Sequence, residues 1–182
     1  MERIVLSLMF RDNAEEAVKF YLSLFSPIFG NSKIEWITYY GEEELEALRA
    51  VPQMSEEIMP GPAASVKTVR FRLAGQEILA VNGGGFFGKF TESASLYVSC
   101  ETQEQIDLLW TALSREGTEQ PCGWVKDRFG VSWQIAPSVI GEIMEGPDQK
   151  KAQRVMLALY RMKKIDLEEI LRAAAEPRPA GS

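Results

Sequence analysis

The chain has 182 residues, 46% of them hydrophobic and 25% charged, and its 26 Asp and Glu outnumber its 20 Lys and Arg to leave a formal charge of −6. These are globular proportions, with length enough to bury a sizeable core. No apolar run approaches the roughly 18 residues of a membrane span, and the acidic balance opposes the clustered cations on which nucleic-acid affinity rests, so neither membrane nor nucleic acid is an expected partner.

The N-terminal apolar stretch in MERIVLSLMFRDNAEEA is flanked closely by charge and followed by no small-residue cleavage site, so the expected compartment is the cytoplasm. The two cysteines, Cys100 and Cys122, are then expected as reduced thiols. Histidine is absent, which removes the commonest metal ligand and the commonest general base at neutral pH.

RIVLSLMF (3–10) is short, apolar and closed by the polar RDN, the pattern of a buried strand. A helix follows, started by Asn13 and Glu16 at capping-box spacing, with Ala14, Ala17, Val18, Tyr21, Leu24 and Phe25 on one apolar face. KIEWITYY (33–40) is β-branched and aromatic, hence a strand. Residues 41–64 are acidic and interrupted by Pro52, Pro60 and Pro62, which predicts a surface insertion holding a short helix. SVKTVRFRL, a turn at AGQ, and EILAVN predict a hairpin ending at Asn82, followed by the glycine-rich GGGFFGKF. No amphipathic helix opens directly after these glycines and no acidic residue closes a dinucleotide unit, so the loop reads as a connection between modules and no cofactor is expected.

A shift of 88 positions lays SLMFRDNAEEAVKFYLSLF (7–25) on SLYVSCETQEQIDLLWTAL (95–113) without a gap, with Ser7, Leu8 and Glu16 recurring as Ser95, Leu96 and Glu104. Thr102 and Gln105 predict a second helix start, and the shift also lays Trp36 on Trp124. The period is too long for a solenoid. The expected fold is α+β: two βαβββ modules, about 3–82 and 94–137, forming mixed sheets around a shared cavity as one domain (1–137), then C-terminal helices over 138–175 and a disordered tail at 176–182. The stripe Val155, Met156, Leu159 and Met162 needs a surface to cover it, either its own subunit or a second one.

NAEEAVKFYLSLF, LAVNGG, CGWVKDRFGVSWQIAP and KAQRVMLALYRMKKID together resemble the PhnB-like branch of the glyoxalase, bleomycin-resistance and extradiol-dioxygenase (vicinal oxygen chelate) superfamily, whose members are often labelled demethylubiquinone methyltransferase. The resemblance spans about residues 3–170. It implies a homodimer. It also implies, in metal-dependent members, ligands from the first and last strands of each module. Here those positions offer Leu6, Ser7, Ala94 and Ser95, then Ala80 with Glu77 nearby, and Gln134 where the metal-binding pattern has glutamate. One neutral amide and one carboxylate do not make a divalent-ion site, so no metal is expected. A stranded cavity glutamate would cost several kcal/mol, an incompletely paired amide roughly 1–3.

Two roles are open to Gln134, contact with a ligand or a bond to a neighbouring strand's side chain. Alternation sets Ser132, Gln134 and Ala136 on one face of the last strand, and Trp133 on the other, under the helices. With Gln134 and Ser132, the residues expected to line the cavity are Asn82, Phe86, Cys122 and Trp124. No base or helix N-terminus is evident beside Cys122 to activate it. Asp127 is expected to open the turn that Gly130 completes. Amides, hydroxyls and aromatics without a cationic cluster suit a neutral, partly aromatic small molecule, held by sequestration. The alternative is a metal-independent enzyme, such as the methyltransferase of the branch label.

Overall fold

The computed structural model describes residues 4–175, which form two compact units divided after Lys89. Each contains one four-stranded mixed sheet, the α+β architecture of paired βαβββ modules followed by helices.

The first unit runs β1 (Leu6–Phe10), α1 (Ala14–Phe29), β2 (Lys33–Tyr39), α2 (Glu42–Arg49), β3 (Val66–Leu73) and β4 (Gln76–Asn82), in sheet order β1-β4-β3-β2. β1 is parallel to β4 and the other pairs are antiparallel. α1 lies over β3 and β4. Its buried Ala14, Ala17, Val18, Tyr21 and Phe25 close the core with Leu8, Phe10, Val69, Phe71, Ile78 and Ala80 of the sheet. The register pairs Leu8 with Ala80 and Val69 with Ala80, so these three share the helix-facing side.

The start of α1 departs from the sequence expectation. Asn13 has φ −115° and ψ 22°, outside the extended region a cap occupies, and its side chain caps nothing. The Ala14 N–H donates instead to Asn82 Oδ1 at 2.9 Å, while Asn82 Nδ2 donates to the Val66 carbonyl at 2.8 Å. Asn82 therefore ties the ends of β4, β3 and α1 together. Tyr40 donates its hydroxyl to the Asn82 carbonyl at 2.5 Å.

The insertion 41–64 holds α2, anchored by buried Leu45, and a 3-10 turn at Glu56–Ile58. That turn rests on the glycine-rich loop. A Cβ on Gly84, already at φ +67°, would stand 1.9 Å from the Ile58 carbonyl oxygen, so no other residue fits there.

The second unit runs β5 (Leu96–Cys100), α3 (Gln103–Ser114), β6 (Thr118–Glu119), β7 (Trp124–Lys126), β8 (Ser132–Pro137), α4 (Ser138–Glu145), α5 (Gln149–Leu159) and α6 (Leu167–Ala175), with sheet order β5-β8-β7-β6. The order repeats that of the first sheet. Thr102 caps α3, its hydroxyl accepting from the Gln105 N–H, while Gln105 reaches back to the Glu101 N–H at 2.7 Å. Ile106, Leu109, Trp110 and Leu113 of α3 are buried, as are Val125, Trp133 and Ile135 of the strands.

Equivalence of the two sheets corrects one correspondence. β6 stands where β2 stands and β7 where β3 stands, so Trp36 on β2 and Trp124 on β7 are not counterparts. α3 is four residues shorter than α1, 12 against 16, and the shift of 88 fails beyond it.

The C-terminal stripe is covered by its own unit. Val155, Leu159 and Met162 pack with Ala136, Ile140, Ile143, Ile165 and Ile170. This stripe therefore supplies no surface for a second subunit. The tail 176–182, expected to be disordered, lies outside the described residues.

Candidate functional site

In each sheet one face is packed by a helix, and the other carries the polar and aromatic side chains on which a site can be built. In the second sheet the ladders pair Gln134 with Trp124 on β7 and with Tyr97 on β5, so three partly exposed side chains form one row across three strands. The next row pairs Ser132 with Lys126. Trp133, offset by one residue, is 1% exposed on the opposite face, as its position predicts.

Gln134 donates from Nε2 to Ser95 Oγ at 2.7 Å. It thus makes the neighbouring bond that was one of its two open roles, and the other end of its amide has no partner among the described residues. A hydroxyl both donates and accepts, so the Gln134–Ser95 pair can present either sense of hydrogen bond to an incoming group. Ser132 is 1% exposed and its Oγ has no hydrogen-bond partner among the described residues. A buried unpartnered hydroxyl costs on the order of 1–3 kcal/mol. On the same face Lys126 pairs with Glu92, whose carboxyl also accepts from Gln120 Nε2 at 2.9 Å. The bond from Lys126, then that from Gln120, holds the Glu92 pKa down to about 2.

The turn that sets this face is built on Asp127, 3% exposed. Its Oδ1 accepts from the Phe129 N–H at 2.9 Å and the Val131 N–H at 3.0 Å, its Oδ2 from Trp133 Nε1 at 2.8 Å, and its carbonyl from the Gly130 N–H at 2.9 Å. The expected turn is present, and the carboxylate also locks the core tryptophan that fixes the register of Gln134.

Of the six residues expected to line a cavity, four fall in the second unit and two in the first. Trp124, Ser132 and Gln134 share the face just described. Cys122 does not join them. Its backbone is left-handed at φ 62°, its N–H donates to the Met162 carbonyl at 2.8 Å, and its side chain packs against the C-terminal helical cluster. The segment after α5 clamps this turn, a contact with no local sequence signal. Asn82, 3% exposed, faces α1, with both ends of its amide bonded to the backbone. Phe86 is 49% exposed and stacks edge-on with Phe87, centroids 5.1 Å apart.

The glycine loop offers no cradle for a phosphate. The N–H groups of Gly83, Gly84 and Gly85 donate to the carbonyls of Phe10, Arg11 and Ile58 at 2.8, 2.9 and 3.0 Å. Three amides already bonded cannot also converge on an anion.

On the first sheet the face away from α1 carries a charged network that sequence reasoning missed. Arg70 binds Glu35 and Glu77, each at 3.0 Å, and Arg72 reaches the same two carboxylates at 3.5 and 3.6 Å. The signal was present in VRFRL, where alternation puts two arginines on one side of a central strand. The expected lack of a cationic cluster is corrected by this pair, although two glutamates neutralise it.

The register also corrects the ligand positions. Leu8 pairs with Ala80 as Leu96 pairs with Trp133, so Ala80 corresponds to Trp133 and Val81 to Gln134. Ala80 is fully buried under α1 and unavailable in any case. Glu77 is held by two guanidinium groups and Gln134 is neutral. Among the described residues no three of Cys, Asp and Glu are grouped so as to hold a metal ion. This donor set does not fit a divalent cation.

Residues 2–136 match the family model described as 3-demethylubiquinone-9 3-methyltransferase. The chain belongs to this family. It is the PhnB-like branch of the vicinal oxygen chelate superfamily, and solved structures agree. A putative 3-demethylubiquinone-9 3-methyltransferase, PhnB protein, from Bacillus cereus is 32% identical, over 75% of this chain and 99% of that one, with TM-score 0.58. A Pseudomonas aeruginosa protein is 17% identical over 75% and 98%, with TM-score 0.53. The fosfomycin resistance protein FosX from Listeria monocytogenes is 10% identical over 80% and 98%, with TM-score 0.50, and shares the fold alone. No curated protein matches the chain. The PhnB-like match ends within β8, so α4, α5 and α6 lie outside it. No helix among the described residues is long and apolar enough to cross a membrane.

Proposed function

We propose that this PhnB-like protein binds a small, partly aromatic organic molecule on the face of its second sheet opposite α3, without a metal ion, in the cytoplasm and as a homodimer. The observation that carries the reading is the Gln134–Ser95 pair beside Trp124 and Tyr97. It holds an amide with one uncommitted end next to two partly exposed aromatic side chains, which is the mix of apolar area and few placed polar groups that small-molecule sites use. Asn82 and Cys122, engaged elsewhere, and Phe86, in the first unit, are left out of this site. The donor set described above supports independence from metal. Dimerisation rests on the family resemblance, since the apolar stripe of α5 is covered.

The test is a thermal-shift screen of aromatic carbonyl and hydroxyl compounds followed by calorimetry on the hits. Gln134→Leu should weaken a hit by about 1–2 kcal/mol, roughly tenfold in affinity. A Gln134→Leu protein that binds as tightly as the parent, or a screen without hits, overturns the reading. One transition-metal ion per chain in untagged protein would overturn the metal-free part. The family description supports a second reading, methyl transfer, and saturable binding of S-adenosylmethionine would select it.

A further inference from the structure

We propose that the cleft between α5 and α6 is a second binding site, for a small organic phosphate. It lies in the helices outside the family match and is independent of the site on the sheet. Residues 149–164 contain six Lys and Arg and no Asp or Glu, in a chain whose net charge is −6. Two of these cations, Arg154 on α5 and Arg161 in the turn just past its end, line the same cavity. Arg172 of α6 joins them across a cavity of about 310 Å³ floored by Leu157, Ala158 and Ala173. Glu169 is the acidic residue of its lining, so three positive charges face one negative charge.

The donors divide by role. Arg154 donates from Nε to the Ala173 carbonyl at 3.0 Å and from Nη2 to the Ala174 carbonyl at 3.1 Å, satisfying the C-terminal end of α6 and fixing the position of the guanidinium. Arg172 spends one nitrogen on Glu168 at 3.1 Å. The guanidinium of Arg161 has no partner among the described residues. A fixed guanidinium with two less committed ones around a concave, apolar-floored cleft suits a phosphate whose organic part rests on the leucine and alanines.

Calorimetry with inorganic pyrophosphate as probe tests the site, using the full chain at low ionic strength. Saturable one-to-one binding is expected, weakened about tenfold by Arg161→Ala or by Arg172→Ala, each removing one charge-assisted contact. Arg154 is left intact because it holds α6. Lys150→Ala with Lys151→Ala removes two positive charges outside the cleft, twice that of either single variant, and should still leave affinity nearly unchanged. Loss of binding in that control as large as in Arg161→Ala would mean a diffuse positive field and overturn the site. Absence of pyrophosphate binding overturns it also, and retention on phosphatidylglycerol vesicles without pyrophosphate binding would replace the free phosphate by a lipid surface.

Discussion

Asp127→Asn isolates the contact that sets the register of the candidate site. The substitution preserves size and can keep one oxygen on the Phe129 and Val131 N–H groups, at 2.9 and 3.0 Å in the parent. Its amide nitrogen then faces Trp133 Nε1, which in the parent donates to a carboxylate oxygen at 2.8 Å. A charge-assisted bond worth about 1.5–3 kcal/mol is exchanged for a donor against a donor, so the expected loss is about 2 kcal/mol. Urea unfolding followed by tryptophan fluorescence measures it. Hydrogen exchange at the Phe129 and Val131 amides shows whether the damage is local. In a Trp133→Phe background the indole donor is gone, so the same change should cost about 1–2 kcal/mol less. A cost equal in both backgrounds, within about 0.5 kcal/mol, would refute the claim that the carboxylate acts through Trp133.

Asn82→Ala removes the first-turn cap of α1 and leaves the part-buried Val66 carbonyl without its side-chain donor, an expected loss of about 2–3 kcal/mol by urea unfolding; Asn82→Asp should also destabilise, because it sets a carboxylate against that carbonyl. Burial, and secondarily Glu101, raises the Cys100 thiol to about 11, and its side chain is inaccessible, so a thiol reagent at mildly alkaline pH should modify only Cys122 in the native protein and both cysteines in denaturant. Glu92, depressed from 4.5 to about 2, should titrate near 2 by NMR; its pairing with Lys126 is complete above the ordinary carboxylate range and is lost as pH falls through about 2, whereas Lys126→Met should return the titration toward 4.5.

Local pattern carried most of the fold. Alternation placed Trp133 under the helices and Gln134 on the other face, and helical periodicity selected the buried face of α1, because both depend only on neighbouring residues. Long-range partners were not legible. Asn13 has the composition of a cap, yet Asn82 performs the capping from 68 residues away. Cys122 sits one residue from Gly123 and looks like a strand entrance, yet Met162 and Lys163 hold that turn. Register failed for a related reason. An ungapped repeat matches the first strand and helix, but the shorter α3 breaks it before the later strands, which misplaced Trp36, while the last-strand position given to Ala80 from the resemblance was off by one residue.

The cap supplied by Asn82 makes the beginning of the first helix depend on the end of the fourth strand. During synthesis from the N-terminus, α1 emerges with its leading N–H groups bonded only to water. It gains its partner only when residue 82 has been added and β4 has closed beside β1. Closing so long a loop is entropically costly before the parallel ladder rewards it. The first unit should therefore gain protection late and all at once, with no stable helical fragment preceding it, and a nascent chain halted just before residue 82 should remain open to proteolysis across α1.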